Sequence, residues 1–251
     1  MSGGFKDYFS TKSDAYANYR PKYPATLAEE LAKLCYQKDT ALDCGCGSGQ
    51  LSVLLANYFD EVIATDASSQ QIENATAHPK VKYKVAPAEA APLDNHSVDM
   101  ITVAQAAHWL DLEKFYAEAK RLLKHNGLIA LITYQNAILE DEECNLILNR
   151  FYGETLDSYW PPERRIVESG YKQLSFPFRE ISFPDIEMSD QWNFNLLYGY
   201  ITTWSAFKAF EKAGGQAEIN QFKDSLSTAW SDVERKQKII WPLSLRVGYV
   251  E

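Results

Sequence analysis

From Thr40 onward the chain alternates short apolar runs with stretches whose apolar residues recur at helical spacing. Thr40-Ala41-Leu42-Asp43 is an apolar run that ends in a glycine cluster, which predicts a buried strand and a turn. Leu51, Leu54, Leu55 and Tyr58 follow at helix period. Val62 to Thr65 predicts a second strand, and Ser68 is placed to cap a second helix. Val81 to Val85 and Val98 to Val103 read as the third and fourth strands. A stripe of Leu112, Phe115, Ala119, Leu122 and Leu123 predicts the next helix. After Asn126-Gly127, Leu128 to Thr133 completes a fifth strand. Strands that alternate with helices imply parallel βαβ units. The expected fold class is therefore α/β, a Rossmann-like doubly wound and mostly parallel sheet of about seven strands.

The pattern changes on either side. Upstream, Leu27, Leu31 and Leu34 share one helix face behind the proline-stiffened segment from Tyr16 to Pro24. Downstream, residues 140–215 are rich in Trp, Tyr and Phe and are broken by prolines, with one strand candidate at Phe178 to Phe183. A helix over Gln216 to Trp230 and an apolar segment from Ile239 to Val250 follow. No Gly/Ser-rich linker or internal repeat intervenes. Residues 1–251 are expected to form a single domain, with residues 140–215 as an aromatic-rich helical lid inserted over a ligand site.

Composition narrows the function classes. Apolar residues make up 46% of the chain, enough for a sizeable core. The net charge is −9 and no basic run exceeds two residues, as at Lys124-His125 and Arg164-Arg165, which argues against a nucleic-acid partner. No apolar stretch approaches the roughly 20 residues of a membrane span, and the N-terminus lacks a secretory pattern. Cys35, Cys44, Cys46 and Cys144 have neither disulfide-scaffold nor zinc-site spacing, so no metal is expected. A cytoplasmic protein that acts on a small molecule fits these features.

The chemistry concentrates at Asp43-Cys44-Gly45-Cys46-Gly47-Ser48-Gly49-Gln50, between the first strand and the following helix. Alternate glycines let the backbone turn sharply and approach a ligand closely. Asp66 ends the second strand, beside the first in a doubly wound sheet, where a carboxylate can accept both ribose hydroxyls of an adenosine. A dinucleotide fingerprint needs a small residue three positions after the second glycine, but Gln50 stands there. Asp43 would repel a pyrophosphate and can hold an ammonium group, directly or through water. A ligand with adenosine at one end and a cationic amino acid at the other satisfies both carboxylates. S-adenosylmethionine is such a ligand.

These motifs resemble those of class I S-adenosylmethionine-dependent methyltransferases of the methyltransferase type 11 or trans-aconitate methyltransferase-like branch. Asp43 to Gly49 is similar to the family's first motif, and Thr65-Asp66-Ala67-Ser68 to its second. Ala86 to Leu93 looks like the third, which faces adenine, although Pro87 stands where an acidic residue is usual. Gln105-Ala106-Ala107-His108-Trp109 resembles the segment that reaches donor and acceptor, and Tyr16 to Pro24 the branch's N-terminal signature. The resemblance implies methyl transfer from S-adenosylmethionine, with S-adenosylhomocysteine as product, to a small acceptor such as a carboxylic acid. It implies cofactor contacts from Tyr16, Arg20, Asp43, Gly45, Gly47, Gly49, Asp66, Ala67, Ala88, Glu89, Gln105 and Ala106. His108, Trp109, Trp160 and Arg164 are expected to meet the acceptor, with Arg165 a further candidate and His108 a candidate base. A nicotinamide-dependent oxidoreductase and a catalytically silent cofactor-binding module stay open as alternatives.

Overall fold

The computed structural model describes residues 19–251. Seven strands form one sheet in the order β3-β2-β1-β4-β5-β10-β7. They are β1 (Thr40–Cys44), β2 (Glu61–Asp66), β3 (Val81–Val85), β4 (Val98–Ala104), β5 (Leu123–Tyr134), β7 (Arg179–Ile181) and β10 (Leu243–Tyr249). Strands β1 to β5 pair in parallel. β10 runs antiparallel to both β5 and β7. The expected seven-stranded, mostly parallel sheet is what the chain forms.

Helices cover the parallel part. Helix α1 (Ala25–Lys33) buries Leu27 and Leu31, as the periodicity predicts. α2 (Gln50–Leu55) follows the glycine turn. α3 (Ser69–Glu73) begins at Ser68, whose side chain accepts from the Gln71 N–H. α4 (Leu112–Leu122) is capped by Asp111, whose side chain accepts from the Lys114 N–H. The Asn126-Gly127 turn lies within β5 as an irregularity. Register with β4 shifts between Val98 and Met100, and Asn126 takes a left-handed φ of 59°.

The aromatic part builds a second body. A three-stranded sheet, β6 (Ile138–Leu139), β9 (Gln237–Ile240) and β8 (Ser189–Trp192), stands beside α5 (Glu142–Arg150), α7 (Phe194–Thr202), α8 (Ser205–Lys212) and α9 (Gln216–Trp230). Its core runs from Tyr134 to Trp241 and includes Phe151 stacked on Phe222 at 3.8 Å. This body overruns the expected 140–215 boundary, because α9 and β9 pack into the same core. Conversely, Val167 and Tyr171, on and just after α6 (Arg164–Glu168), pack against the main sheet's core, and β7 joins that sheet.

Strand order fixes where a site can lie. The chain steps outward from β1 through β2 to β3, then returns to β4 on the other side of β1. At such a reversal the loops leaving the two strands diverge and open a crevice beyond their carboxyl ends. The glycine turn leaves β1 there, and a 3-10 turn, Ala107–Trp109, leaves β4 beside it.

Candidate active site

The floor of the crevice is the turn after β1. Gly45, Gly47 and Gly49 all have left-handed φ values, 65°, 55° and 82°, which a side chain would strain. A Cβ on Gly45 would lie 2.7 Å from the Ala106 Cβ, so the two loops can meet only because Gly45 has none. Over Gly47 the nearest neighbour of an added Cβ is 3.7 Å away. That neighbour is the Gln71 Oε1, in ordinary van der Waals contact.

The two aspartates do different work. Asp66, half-buried at the tip of β2, accepts the Gly47 N–H on Oδ2 and the Ser68 N–H on Oδ1, each at 2.9 Å. A carboxylate has about four lone-pair positions, so each oxygen keeps capacity for a hydroxyl. Asp43 is only 1% exposed. Its Oδ2 accepts from the Ser52 hydroxyl at 2.6 Å and its Oδ1 from the Thr102 hydroxyl at 2.8 Å. Burial pushes its pKa up to about 6, opposed by those two hydrogen bonds. Asp43 thus ties β1, α2 and β4 together beneath the turn.

Other expected cofactor residues also carry local duties. Gln105 has a left-handed φ of 54°. Its Nε2 donates to the Tyr134 carbonyl and its Oε1 accepts from the Thr133 hydroxyl, both at 2.9 Å, so its amide is turned toward β5. Glu89 accepts the Asp111 N–H at 3.0 Å and so stitches the third motif to the start of α4. Ala88 is buried, Ala67 is exposed beside Asp66, and Ala106 abuts Gly45. Tyr16 lies outside the described residues.

Gln50 has a task that sequence reasoning missed. Its Oε1 accepts the Tyr23 N–H at 2.8 Å and its Nε2 donates to the Pro21 carbonyl at 3.3 Å. The first residue of α2 therefore holds the segment that carries Arg20 over the crevice. Farther along, Tyr19 packs on α7. A Cβ on Gly199 would fall 2.4 Å from its ring.

Beyond the β4 turn lies a cavity of about 150 Å³ between the sheet and the aromatic body. It brings together Arg20, His108, Trp109, Trp160 and Arg164 from widely separated segments. Arg20, expected at the cofactor, lines this cavity. Arg165 is exposed and outside it. Tyr134, Tyr200, Trp204 and Lys208 also line it, and no motif had marked them. Arg164 lies 5.0 Å from the Trp160 ring centroid and 5.4 Å from that of Tyr152. Its Nε donates to the Tyr152 hydroxyl at 2.6 Å and sits 3.7 Å from Glu168. The terminal nitrogens of the fork are the part left to meet a ligand. His108 is held by Tyr171, its Nδ1 2.9 Å from the phenol oxygen. Burial, then the charges of Arg164 and Arg20, bring its pKa down to about 3, so the imidazole is neutral at physiological pH.

Comparison with known proteins decides the family. The chain is 37% identical to a provisionally named methyltransferase of Dictyostelium discoideum over 94% of its own length and 91% of the relative's. The chain belongs to the class I S-adenosylmethionine-dependent methyltransferases. The methyltransferase domain family matches residues 42–131, the span from β1 into β5. A solved structure from Anaeromyxobacter dehalogenans, provisionally named a type II methyltransferase, superposes with a TM-score of 0.87 at 40% identity, covering 92% of this chain and 98% of that one. The Bacillus subtilis YcgJ structure shares the fold alone, with a TM-score of 0.51 at 19% identity over 90% of this chain and 98% of that one. These matches carry the family and the cofactor S-adenosylmethionine. They do not single out the trans-aconitate branch or an acceptor.

Proposed function

We propose that this methyltransferase transfers the methyl group to a small carboxylic acid, forming a methyl ester, and that the cavity beside His108 is the acceptor site. One observation carries the reading: cationic Arg20, Arg164 and Lys208 line a small, largely aromatic cavity in which the one imidazole is neutral. A neutral phenol or amine gains little from that lining, whereas a carboxylate gains charge-assisted hydrogen bonds.

The glycine turn and Asp66 fit the nucleoside end of S-adenosylmethionine. The three left-handed glycines let the backbone approach a ligand closely, and each Asp66 oxygen keeps acceptor capacity for a ribose hydroxyl. Ala67, Ala88 and Glu89 flank the adenine side, and Ala106 and the Gln105 backbone the sulfur side. Asp43 acts from below by holding the turn through Ser52 and Thr102. When bound, S-adenosylmethionine supplies an electrophilic methyl group on a sulfonium sulfur.

The chain's own contribution is alignment. The Arg164 fork, Trp109 and Trp160 fix the acceptor so that one carboxylate oxygen points toward the β4 turn. Walls of Tyr134, Tyr200 and Trp204 exclude water. A carboxylate is ionised at neutral pH, so its attack requires no proton removal. The test is release of S-adenosylhomocysteine across a panel of small carboxylic acids and their primary amides. Acids should drive release and amides should not; equal release from both would remove the acceptor assignment.

A further inference from the structure

Behind the cavity wall the helix geometry breaks. After α5 the chain widens into a π turn, Phe151–Thr155. The Leu156 N–H reaches past the Tyr152 carbonyl to that of Phe151, at 3.0 Å. In an α-helix it would have taken the Tyr152 carbonyl. That carbonyl instead accepts the Trp160 indole N–H at 3.1 Å. The first two side chains of the turn take separate tasks. Phe151 stacks on Phe222 in the aromatic core, while Tyr152 packs on Trp160 and Trp204, which both line the cavity. Single π turns are rare and are found often at functional sites.

The Tyr152 hydroxyl joins two charged groups. A guanidinium has no acceptor, so the contact with the Arg164 Nε at 2.6 Å runs from arginine to phenol. The phenol's one hydrogen then goes to the Glu168 Oε1 at 2.5 Å, since a carboxylate only accepts. Burial pushes the Tyr152 pKa well above its ordinary value, so the phenol keeps that hydrogen. Glu168 lies 3.7 Å from the same Nε, an ion-pair distance too long for a hydrogen bond, and so holds the arginine through the phenol. The Glu168 backbone is itself tied down just beyond β5, where Gln135 donates to its carbonyl at 3.0 Å. These contacts join the aromatic body, against which Tyr152 packs, to α6, which packs on the main sheet and carries both Arg164 and Glu168.

The direction of these bonds decides what Arg164 has left. With the Nε–H taken, the guanidinium edge that pairs Nε with a terminal nitrogen is closed to a ligand. The two terminal nitrogens remain, presented end-on, and that pair matches the two oxygens of a carboxylate. A guanidinium that is already fixed gives up less freedom when it forms those bonds. We propose that Tyr152 is a positioning residue: set by the π turn and by Glu168, it grips Arg164 at Nε and commits both terminal nitrogens to one carboxylate in the cavity. The ligand half of the inference rests on the carboxylate reading, while the grip stands or falls without it.

Arginine ¹H–¹⁵N spectra, recorded on the full chain with S-adenosylhomocysteine bound, test the grip. Arg164→Lys and Arg165→Lys identify the two Nε–H signals. In the wild type the Arg164 Nε–H should exchange with water at least about tenfold more slowly than that of Arg165, which is exposed. Tyr152→Phe, checked for native melting, should remove most of that difference. An Arg164 Nε–H that exchanges as fast as its neighbour's in the wild type, or no faster in Tyr152→Phe than in the wild type, would overturn the proposal. Kinetics give the second arm, with the acid turned over fastest in a panel from acetate to benzoate. Tyr152→Phe should raise KM for that acid about tenfold and keep kcat within about threefold, because a fixed fork binds substrate and transition state alike. An unchanged KM, or a loss confined to kcat, contradicts the positioning role. If no acid is turned over, the carboxylate reading fails and the spectrum still decides the grip.

Discussion

Asp43 and Asp66 are the same residue type at the ends of adjacent strands, and their environments separate them. Asp66 keeps acceptor capacity facing the crevice, so Asp66→Ala should weaken S-adenosylhomocysteine binding by about a hundredfold in calorimetry, the loss of two hydroxyl contacts to a charge. Unchanged affinity would remove the ribose assignment. Asp43 is buried with a pKa raised from 3.8 to about 6, so the folded chain binds a proton more tightly than the unfolded one within that window. Its contribution to stability is therefore greatest at the acid end and falls as pH rises from about 4 to about 6, then levels. The wild-type melting curve plotted against pH should show this fall relative to Asp43→Asn; parallel curves would contradict it. The glycines, both aspartates and His108 were legible because a strand–turn–helix pattern fixes where they stand. Tyr171, Tyr134 and Lys208 were not. They reach the site from distant segments and belong to no local motif, and only tertiary packing brings them there.

Among the elements, the helix that follows β1 does more than begin at a glycine turn. Gln50 opens α2 and hydrogen-bonds the backbone of Pro21 and Tyr23. Gly199 on α7 leaves room for Tyr19 from the same segment. The N-terminal segment is thereby fastened to the cofactor turn on one side and to the aromatic body on the other. Gln50→Ala should weaken S-adenosylhomocysteine binding about tenfold while lowering stability by only about 1 kcal/mol, since two hydrogen bonds to neutral backbone are lost. An effect on stability alone, with affinity intact, would show that the clamp does not serve the site. In the sequence, Gln50 served to set aside a dinucleotide turn, and its side-chain partners lie 27 and 29 residues away. Strand positions from β1 to β5 were legible largely as short apolar runs, because β1, β2, β4 and most of β5 are buried on both faces. The aromatic body's limits were not, since apolar residues there point into a core assembled from both ends of the segment.

At the scale of the whole molecule, a parallel sheet supplies the crevice, and a cavity lies between that sheet and an aromatic body. The net charge of −9 makes the cationic lining of the cavity a local device, not a property of the surface. Ligand that binds only the folded chain must stabilise it: S-adenosylhomocysteine at about a hundred times its Kd should add about 2.7 kcal/mol. For a chain of this size that is a rise in Tm of roughly 5–10 °C. No rise would mean that S-adenosylhomocysteine does not bind the folded chain preferentially. The family was legible in the glycine turn and Asp66, whereas the acceptor was not, because the cavity proposed to hold it is lined from Arg20 to Lys208 without a shared motif. The most direct test of the whole account uses S-adenosylmethionine labelled in its methyl group, with small carboxylic acids as acceptors. The account predicts label in a methyl ester that mild alkali releases as methanol, and little transfer by Arg164→Leu at the same acid concentration. Label in an alkali-stable ether or amine, or transfer indifferent to Arg164, would contradict it.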